Sequence, residues 1–464
     1  MSNALAFAIS GRHYAELRHH LFPGDGKEAV AVAVCGRAKD ERRETLLVQE
    51  IVPVPFDACR IRSEHQVTWS PEILLPVLTR AMNLGLSIVK IHSHPTGFEW
   101  FSETDDASDR EFFNSVFGFL DTNDSQASLI MLPNCRLVGR AIESDCMGAQ
   151  LDVVRVAGDD FVFWWKEEDA PIVPTHARRI AQTFGDATYG LFRKLRIGVV
   201  GCSGTGSIVI EQLARNCVGE LVLVDPESVE DRNLNRILNA TKYDADNNVS
   251  KLAVMKRSIA AMGLGTIVST FETDLLDAEV VRALASCDLL IGCMDSVDGR
   301  HILNKIGSYY VLPYIDTGVR IDADGMGGID HVSGVVHTIQ PAGSSLMSRS
   351  VYSQDDLAAA FMHRHDPATY ATRRDEGYVR NVRVDQPAVI SVNMQVASTA
   401  VNELLARVHP FRIEPNSNYS IRRIVLSDPA ASVDEGDGAA CSIFNSYVGR
   451  GTQKPLLGML ELSA

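Results

Sequence analysis

Two patterns of hydrophobic and polar positions follow one another along the chain. In the first part, short apolar runs alternate with polar stretches, and one segment, Pro71–Leu84, has helical periodicity. In the second part, the apolar runs Leu195–Val200, Leu221–Asp225 and Asp288–Met294 alternate with helical segments. The first pattern predicts an α+β fold, and the second predicts a doubly wound α/β fold with a mostly parallel sheet.

Charged residues cluster between the two patterns, at Lys166–Asp169, and two prolines follow shortly afterwards. We therefore predict a first domain at 1–160, a linker at 161–175 and a second domain at 176–464. Within the second domain we expect a polar excursion at Gly343–Arg380 and a long helix near Ser391–Arg407. The acidic stretch Asp428–Gly438 predicts a flexible segment.

Composition and charge exclude several classes of protein. The 464 residues are 45 % hydrophobic and 22 % charged, which is typical of globular proteins. A formal net charge of −15 argues against nucleic-acid partners, because phosphate backbones are repelled. No apolar run reaches the roughly 20 residues of a membrane span. Nine cysteines, none at Cys-x-x-Cys spacing, favour reduced thiols and a cytoplasmic location.

A candidate metal site lies in the first domain, between His92 and Asp105. The side chains of His92 and His94 share one side of an extended chain, because side chains alternate along a strand. Two imidazoles and the carboxylate of Asp105 would leave one zinc position open, as in catalytic zinc sites. Cleavage at such a site also needs a base, and the Ser102 hydroxyl could donate to an oxyanion.

The spacing of these residues, H-x-H-P-x₆-S-x-x-D, resembles the motif of the JAMM metalloproteases, the JAB/MPN domain family. The resemblance covers about residues 10–155. It implies zinc on His92, His94 and Asp105, with Ser102 beside the attacking water. It also implies peptide or isopeptide cleavage after the carboxyl terminus of a ubiquitin-like protein.

The general base in that family is a Glu at the start of an early apolar strand that ends in Gly. Glu28 matches this position, although Gly36 lies one residue further on than is usual. Glu50, at the end of another strand, is the alternative.

A candidate nucleotide site lies at the start of the second domain. Gly201, Gly204 and Gly206 follow a predicted strand and open a helix, where free backbone N–H groups favour a phosphate. Asp225 ends the next strand, at the position where an acid binds a ribose hydroxyl. The dinucleotide fingerprint has a glycine where this chain has Ser203, so a nucleotide other than NAD is favoured.

The run Asp225–Ile237 resembles the D-x-x-x-V-E-x-S-N-L-N-R-Q signature of the ThiF/MoeB/E1-type adenylating enzymes, with Arg232 at the usual Ser. The resemblance covers about residues 175–410 and implies ATP and Mg²⁺ as cofactors. Arg236 and Lys251 would neutralise the charge that develops on the phosphates. The other residues that the resemblance implies are Asn233 on the nucleotide, Asp295 on Mg²⁺ and Arg178, in a segment that a partner subunit inserts into the ATP site.

The chain departs from that family in its cysteines. No Cys-x-x-Cys pair is present for a structural zinc, and Cys441 is the only cysteine after Cys293. The crossover segment before Pro387 offers Tyr378 but no thiol. The activated carboxylate therefore passes directly to a partner, which we favour, or forms an oxyester on a hydroxyl within Ser344–Thr372.

Taken as a whole, the chain resembles bacterial fusions of a ThiF-type E1 with a JAB peptidase. This resemblance implies an enzyme that adenylates the carboxyl-terminal glycine of a ubiquitin-like β-grasp protein and also processes or removes that protein. It further implies a homodimer and an E2-like partner, with no nucleic-acid or membrane partner. Two alternatives remain: activation of a sulfur carrier in cofactor biosynthesis, and a half that is a non-catalytic binding module.

Overall fold

A computed structural model describes residues 4–144, 146–166, 171–376 and 387–462. These residues form two compact units. Unit 1 contains the described residues up to 166 together with Ser308–Val311 and Ser446–Met459, and unit 2 contains the others. The charge cluster after Lys166 and Tyr378 of the crossover segment lie outside the described residues.

Unit 1 is built on one mixed sheet of nine strands with helices on both faces. Its helices are α1 (Gly11–Leu21), α2 (Leu75–Leu84) and α3 (Glu103–Leu120). Its strands are β1 (Ala4–Ser10), β2 (Val30–Lys39), β3 (Arg43–Pro53), β4 (Cys59–Arg62), β5 (Val67–Trp69), β6 (Ser87–Ser93), β7 (Gln126–Met131), β8 (Leu137–Glu143), β9 (Cys146–Gln150), β10 (Val153–Ala157) and β11 (Phe161–Trp165). The sheet order is β11-β10-β1-β3-β2-β6-β7-β8-β9, and β4 and β5 form a separate ribbon.

Strict alternation along the central strands fills two cores. On β2, Ala31 and Ala33 face the core that contains Leu17 of α1. Val32 and Val34 face the opposite core, which contains residues of α2 and α3. Both faces of the strand are therefore apolar, which explains why its sequence is a continuous hydrophobic run.

Unit 2 has an eight-stranded sheet in the order β14-β13-β12-β15-β16-β17-β18-β19. Its strands are β12 (Arg196–Val200), β13 (Glu220–Val224), β14 (Ile267–Phe271), β15 (Leu289–Gly292), β16 (Tyr314–Ala323), β17 (Ile329–Ile339), β18 (Ile421–Val425) and β19 (Val433–Glu435). Its helices are α4 (Arg178–Phe184), α5 (Asp186–Lys194), α6 (Gly204–Arg215), α7 (Lys242–Asp246), α8 (Lys251–Met262), α9 (Ala278–Ala285), α10 (Val297–Tyr309), α11 (Gln354–His365), α12 (Pro367–Asp375), α13 (Ile390–Val408) and α14 (Ser442–Asn445).

The first five strands of this sheet are parallel, and the last three are antiparallel. Because parallel strands share one carboxyl edge, the loops after β12, β13 and β15 meet at the same side of the sheet. The predicted fold classes are confirmed in both parts: a mixed sheet with helices, followed by a Rossmann-like α/β sheet. Among the described residues, no helix is both long and apolar enough to cross a membrane.

The prediction of a flexible segment at Asp428–Gly438 is wrong. A short 3-10 turn at Pro429–Ala431 leads into β19, which closes the sheet against β18. Asp437 accepts hydrogen bonds from Arg349 (3.0 Å) and from the hydroxyl of Ser344. Asp437 thus pairs with a cation from a distant part of the chain, which the composition of the segment does not reveal.

Candidate active sites in the two units

The two histidines of the first site are positioned by β6 and the loop that follows it. Val89 and Ile91 of β6 face the α1 side of the sheet, and Ile88 faces the core beneath α2 and α3. His92 has the same parity as Ile88, so its ring points to the face that α3 covers. Asp105, in the first turn of α3, is thereby brought opposite the histidines.

His92, His94 and Asp105 converge, as the sequence predicts. The Nε2 atom of His92 lies 3.0 Å from Oδ1 of Asp105, and Nε2 of His94 lies 3.5 Å from Oδ2. The two Nε2 atoms are 3.0 Å apart. All three residues are at most 9 % exposed, so the cluster is largely withdrawn from solvent.

The donor set fits a zinc ion. Nδ1 of His94 lies 2.7 Å from the carbonyl oxygen of Phe98, which only accepts, so Nδ1 carries the proton and Nε2 of the neutral ring presents a lone pair. This lone pair faces Nε2 of His92 and the carboxylate of Asp105. Two imidazole nitrogens and a carboxylate that meet around one point are a typical zinc set.

Ser102 has a structural role that its spacing to Asp105 could have revealed. It is the N-cap of α3: its hydroxyl accepts from the backbone N–H of Asp105 (3.2 Å), and Asp105 accepts from the backbone N–H of Ser102 (2.7 Å). The Ser102 hydroxyl also donates to Oδ2 of Asp105 at 2.7 Å. Ser-x-x-Asp is therefore a capping box that also orients a metal ligand.

Glu28 and Glu50, the two candidate bases, lie in different surroundings. Glu28 is 5 % exposed at the start of β2, and the charges of His94 and Asp105 act on it. Glu50 lies on β3 and pairs with Arg80 at the surface. Burial raises the pKa of Glu28 to about 7, with His94 opposing and Asp105 reinforcing the rise, so this carboxyl can exchange a proton near neutral pH.

A buried ion-pair network beneath the histidines was missed by sequence reasoning. Nζ of Lys90 donates to Asp109 at 2.7 Å, and both side chains are less than 5 % exposed. Arg140 of β8 binds Asp109 (2.8 Å) and Asp106 (2.5 Å), and it stacks over the ring of Phe101. The sequence does contain a signal for this network: Lys90 lies two residues before His92, and Asp109 lies four residues after Asp105.

In unit 2, the three predicted glycines are required by close approaches. Gly201 has a φ of +87°, and a Cβ there would lie 2.8 Å from the carbonyl oxygen of Cys293, after β15. A Cβ on Gly206 would overlap the backbone of Gly201, and one on Gly204 would overlap the side chain of Asn393. The glycine loop therefore packs against the end of the neighbouring strand β15, and α6 begins within the loop at Gly204.

Asp225 and Lys251 lie beside this loop. Oδ2 of Asp225 accepts from the backbone N–H of Cys202 at 2.6 Å, and Oδ1 accepts from that of Glu227 at 2.9 Å. Burial raises the pKa of Asp225, and the charge of Lys251 opposes the rise. Lys251 is 2 % exposed and pairs with Glu227, a partner that the sequence did not indicate.

The remaining predicted residues lie around the same edge, with one exception. Asn233 is buried and accepts from the backbone N–H of Glu230, while the stem of Arg236 lies against Gly204. Asp295 is exposed in the loop between β15 and α10. Arg178 is exposed at the start of α4, and none of its described contacts reaches the glycine loop.

Two groups that could accept an activated carboxylate are buried, whereas Ser348, Ser350 and Thr372 of the predicted range are exposed. Cys441 is 6 % exposed, and its backbone N–H donates to the carbonyl of Gly343. Ser344 is 3 % exposed, and its hydroxyl lies between Asp437 and Arg349.

Family models match both units. Residues 176–428 match the model of the ThiF family, and residues 10–134 match that of prokaryotic homologs of the JAB domain. The ThiF match covers more than half of the chain.

Among curated proteins, the chain is similar to "Ubiquitin-like modifier-activating enzyme 5" of Arabidopsis thaliana, with 27 % identity over 150 residues, or 29 % of this chain and 34 % of that protein. It is also similar to "SAMP-activating enzyme E1" of Haloferax volcanii, with 27 % identity over 148 residues, or 32 % of this chain and 54 % of that protein. The chain thus spans about a third to a half of the length of these relatives. A solved structure of E. coli MccB with MccA-N7isoASN aligns with a TM-score of 0.46 and 17 % identity, covering 58 % of this chain and 75 % of that one.

Proposed function

Because this chain belongs to the ThiF family and carries a JAB domain ahead of its ThiF region, we propose that it is a two-activity enzyme of a ubiquitin-like pathway. In this proposal, unit 2 adenylates the carboxyl-terminal glycine of a β-grasp protein, and unit 1 cleaves the bond that follows this glycine. The observation that carries the proposal is that one chain holds both a glycine loop with Asp225 and Lys251 and a convergent His92–His94–Asp105 set.

Adenylation is supported by the charges around the glycine loop. The backbone N–H groups at the start of α6 bind phosphate oxygens, and Asp225 accepts from a ribose hydroxyl. Arg236 and Lys251 then neutralise charge on the α-phosphate while a carboxylate attacks it and pyrophosphate leaves. Mg²⁺, held by Asp295, would neutralise further phosphate charge.

Cleavage is supported by the arrangement in unit 1. A zinc ion on His92, His94 and Asp105 would polarise the scissile carbonyl and lower the pKa of the attacking water. Glu28 accepts the proton of that water and delivers it to the leaving amine. Ser102 holds Asp105 in its orientation through the capping box.

Direct transfer of the adenylate to a partner is the outcome we propose for the activated carboxylate, since the thiol of Cys441 is buried. An oxyester on an exposed hydroxyl within Ser344–Thr372, such as that of Ser348 or Ser350, is the alternative. An E2-like protein and a second copy of this chain are the further partners that we propose.

Activation of a sulfur carrier remains the second candidate function, because the relatives of this chain include an enzyme named for activating SAMP. A thiocarboxylate on the β-grasp protein, detected by mass spectrometry, would favour it, whereas an amide with an amine acceptor favours modification.

The test of adenylation is ATP–pyrophosphate exchange in the presence of a β-grasp protein that ends in glycine. We expect exchange that needs this protein and Mg²⁺, and that falls about 10²-fold or more in Asp295→Asn. The matched control is Asp330→Asn, which changes an exposed aspartate of β17 and should leave exchange unchanged. Exchange that persists in Asp295→Asn contradicts the assigned metal anchor, and its absence in the unaltered chain contradicts adenylation.

A further inference from the structure

A cavity of about 660 Å³ opens in unit 1 beside the first site. Its apolar surface comes from Tyr14 of α1, from Phe22 directly after α1, and from Pro95. Its cationic surface comes from Arg18 and Lys27, and the imidazole of His19 also lines it. This combination suits a side chain with an apolar stem and an anionic end.

The covalent chain fixes the cavity next to the catalytic groups. Lys27 immediately precedes Glu28, and Pro95 immediately follows His94. The cavity lies on the α1 side of the sheet and the metal ligands lie on the α3 side, so a substrate chain that passes Glu28 and His94 reaches the cavity around the edge where β2 begins and β6 ends.

The charge of the cavity differs from that of the whole chain. The net charge of the chain is −15, yet none of the residues that line the cavity is acidic. Among the residues that the structure describes, no carboxylate forms an ion pair with Arg18 or Lys27. Asp25, in the loop before Lys27, is bound by Arg62 at two oxygens. The cavity cations are thus available to an incoming anion.

We propose that this cavity is a specificity subsite that binds an acidic side chain of the substrate polypeptide, close in sequence to the bond that unit 1 cleaves. Arg18 and Lys27 bind the carboxylate, and Phe22 and Pro95 contact the methylene groups of the same side chain. That the ligand is a polypeptide rests on the proposed peptidase function of unit 1.

The test is binding of fluorescein-labelled peptides to the full-length chain, measured by fluorescence anisotropy with zinc and again with a chelator. One peptide carries two Glu residues before a Gly-Gly pair and another carries them after it, each with a matched version containing two Gln residues. We expect one of the two Glu peptides to bind about tenfold or more tightly than its Gln version, because charge-assisted hydrogen bonds replace neutral ones. The preference should persist without zinc, since the cavity cations are not metal ligands.

Arg18→Glu/Lys27→Glu should abolish this preference, and the milder Arg18→Gln/Lys27→Gln should reduce it towards unity. The matched control is Lys39→Glu/Arg110→Glu, which makes the same change of net charge at exposed positions of unit 1 and should keep the preference. Equal binding of Glu and Gln peptides, or an equal loss in the control, overturns the subsite. Cleavage of the same peptides is followed separately: preference without any cleavage counts against the peptidase proposal, and cleavage without preference counts against the subsite.

Discussion

The two glutamates of unit 1 illustrate how burial selects a catalytic role for one residue. The sequence favours Glu28, just before β2, and leaves Glu50 of β3 as the alternative. Glu28 is withdrawn from water and faces His94 and Asp105, whereas Glu50 forms an ion pair at the surface. Desolvation makes a carboxylate more basic, so the buried group is better suited to accept a proton near neutral pH.

At this scale we predict that Glu28→Gln retains zinc and lowers cleavage of a ubiquitin-like fusion by about 10²-fold or more, because it removes the base and no ligand. Metal content is measured by atomic absorption and cleavage by gel. Glu50→Gln is the matched control, with zinc and turnover both unchanged. Loss of turnover in Glu50→Gln with zinc retained would show that the base is Glu50.

At the scale of elements, the ion pair between Lys90 and Asp109 sets the register of α3 on β6. Lys90 lies two residues before His92 on the same face of the strand, and Asp109 lies one helical turn after Asp105. A pair at 2.7 Å between these two positions fixes the axial position of the helix, and with it the distance from Asp105 to His92. Removing Lys90 leaves the buried carboxylate of Asp109 with Arg140 as its remaining cationic partner, so the variant loses part of the stabilisation of a buried pair.

We predict that Lys90→Met weakens zinc binding about 10–100-fold without removing a ligand, since supporting contacts of this kind orient the metal ligands. Competition with a chromophoric chelator measures the affinity. The double variant Lys90→Met/Asp109→Leu should fold more stably than Lys90→Met alone, because it leaves no buried carboxylate that has lost one of its two cationic partners. Lys39→Met, on the neighbouring strand, is the surface control; an unchanged affinity in Lys90→Met would contradict the role of the pair.

How far the sequence predicts these elements depends on the separation of the contacting residues. The spacing of His92 on β6 and His94 just after it is a local pattern, and so is the cap that Ser102 forms on the helix that carries Asp105. The metal set could therefore be predicted. The reason for Gly36, by contrast, is a contact with a residue far away in the sequence. A Cβ at this position would overlap the carbonyl oxygen of Gly449, in the segment Ser446–Met459 of the same unit. No local pattern announces such a contact.

At the scale of the whole molecule, each candidate site belongs to a unit with its own sheet and its own buried residues. A ligand that binds only the folded form stabilises the unit that holds its site. At a hundredfold excess over the dissociation constant this effect is about 2.7 kcal/mol. For units of this size such a stabilisation raises the midpoint of thermal unfolding by about 5–10 °C.

We therefore predict two transitions in differential scanning calorimetry, of which zinc raises one and ATP with Mg²⁺ raises the other. Chelation should lower only the zinc-dependent midpoint, because the zinc ligands all lie in unit 1. The variant His92→Ala/His94→Ala should lose the zinc response and keep the nucleotide response, while Asp295→Asn should show the reverse. If zinc and nucleotide instead raise one common transition, the two units unfold as a single cooperative body, and their separate cores do not act as independent folding units.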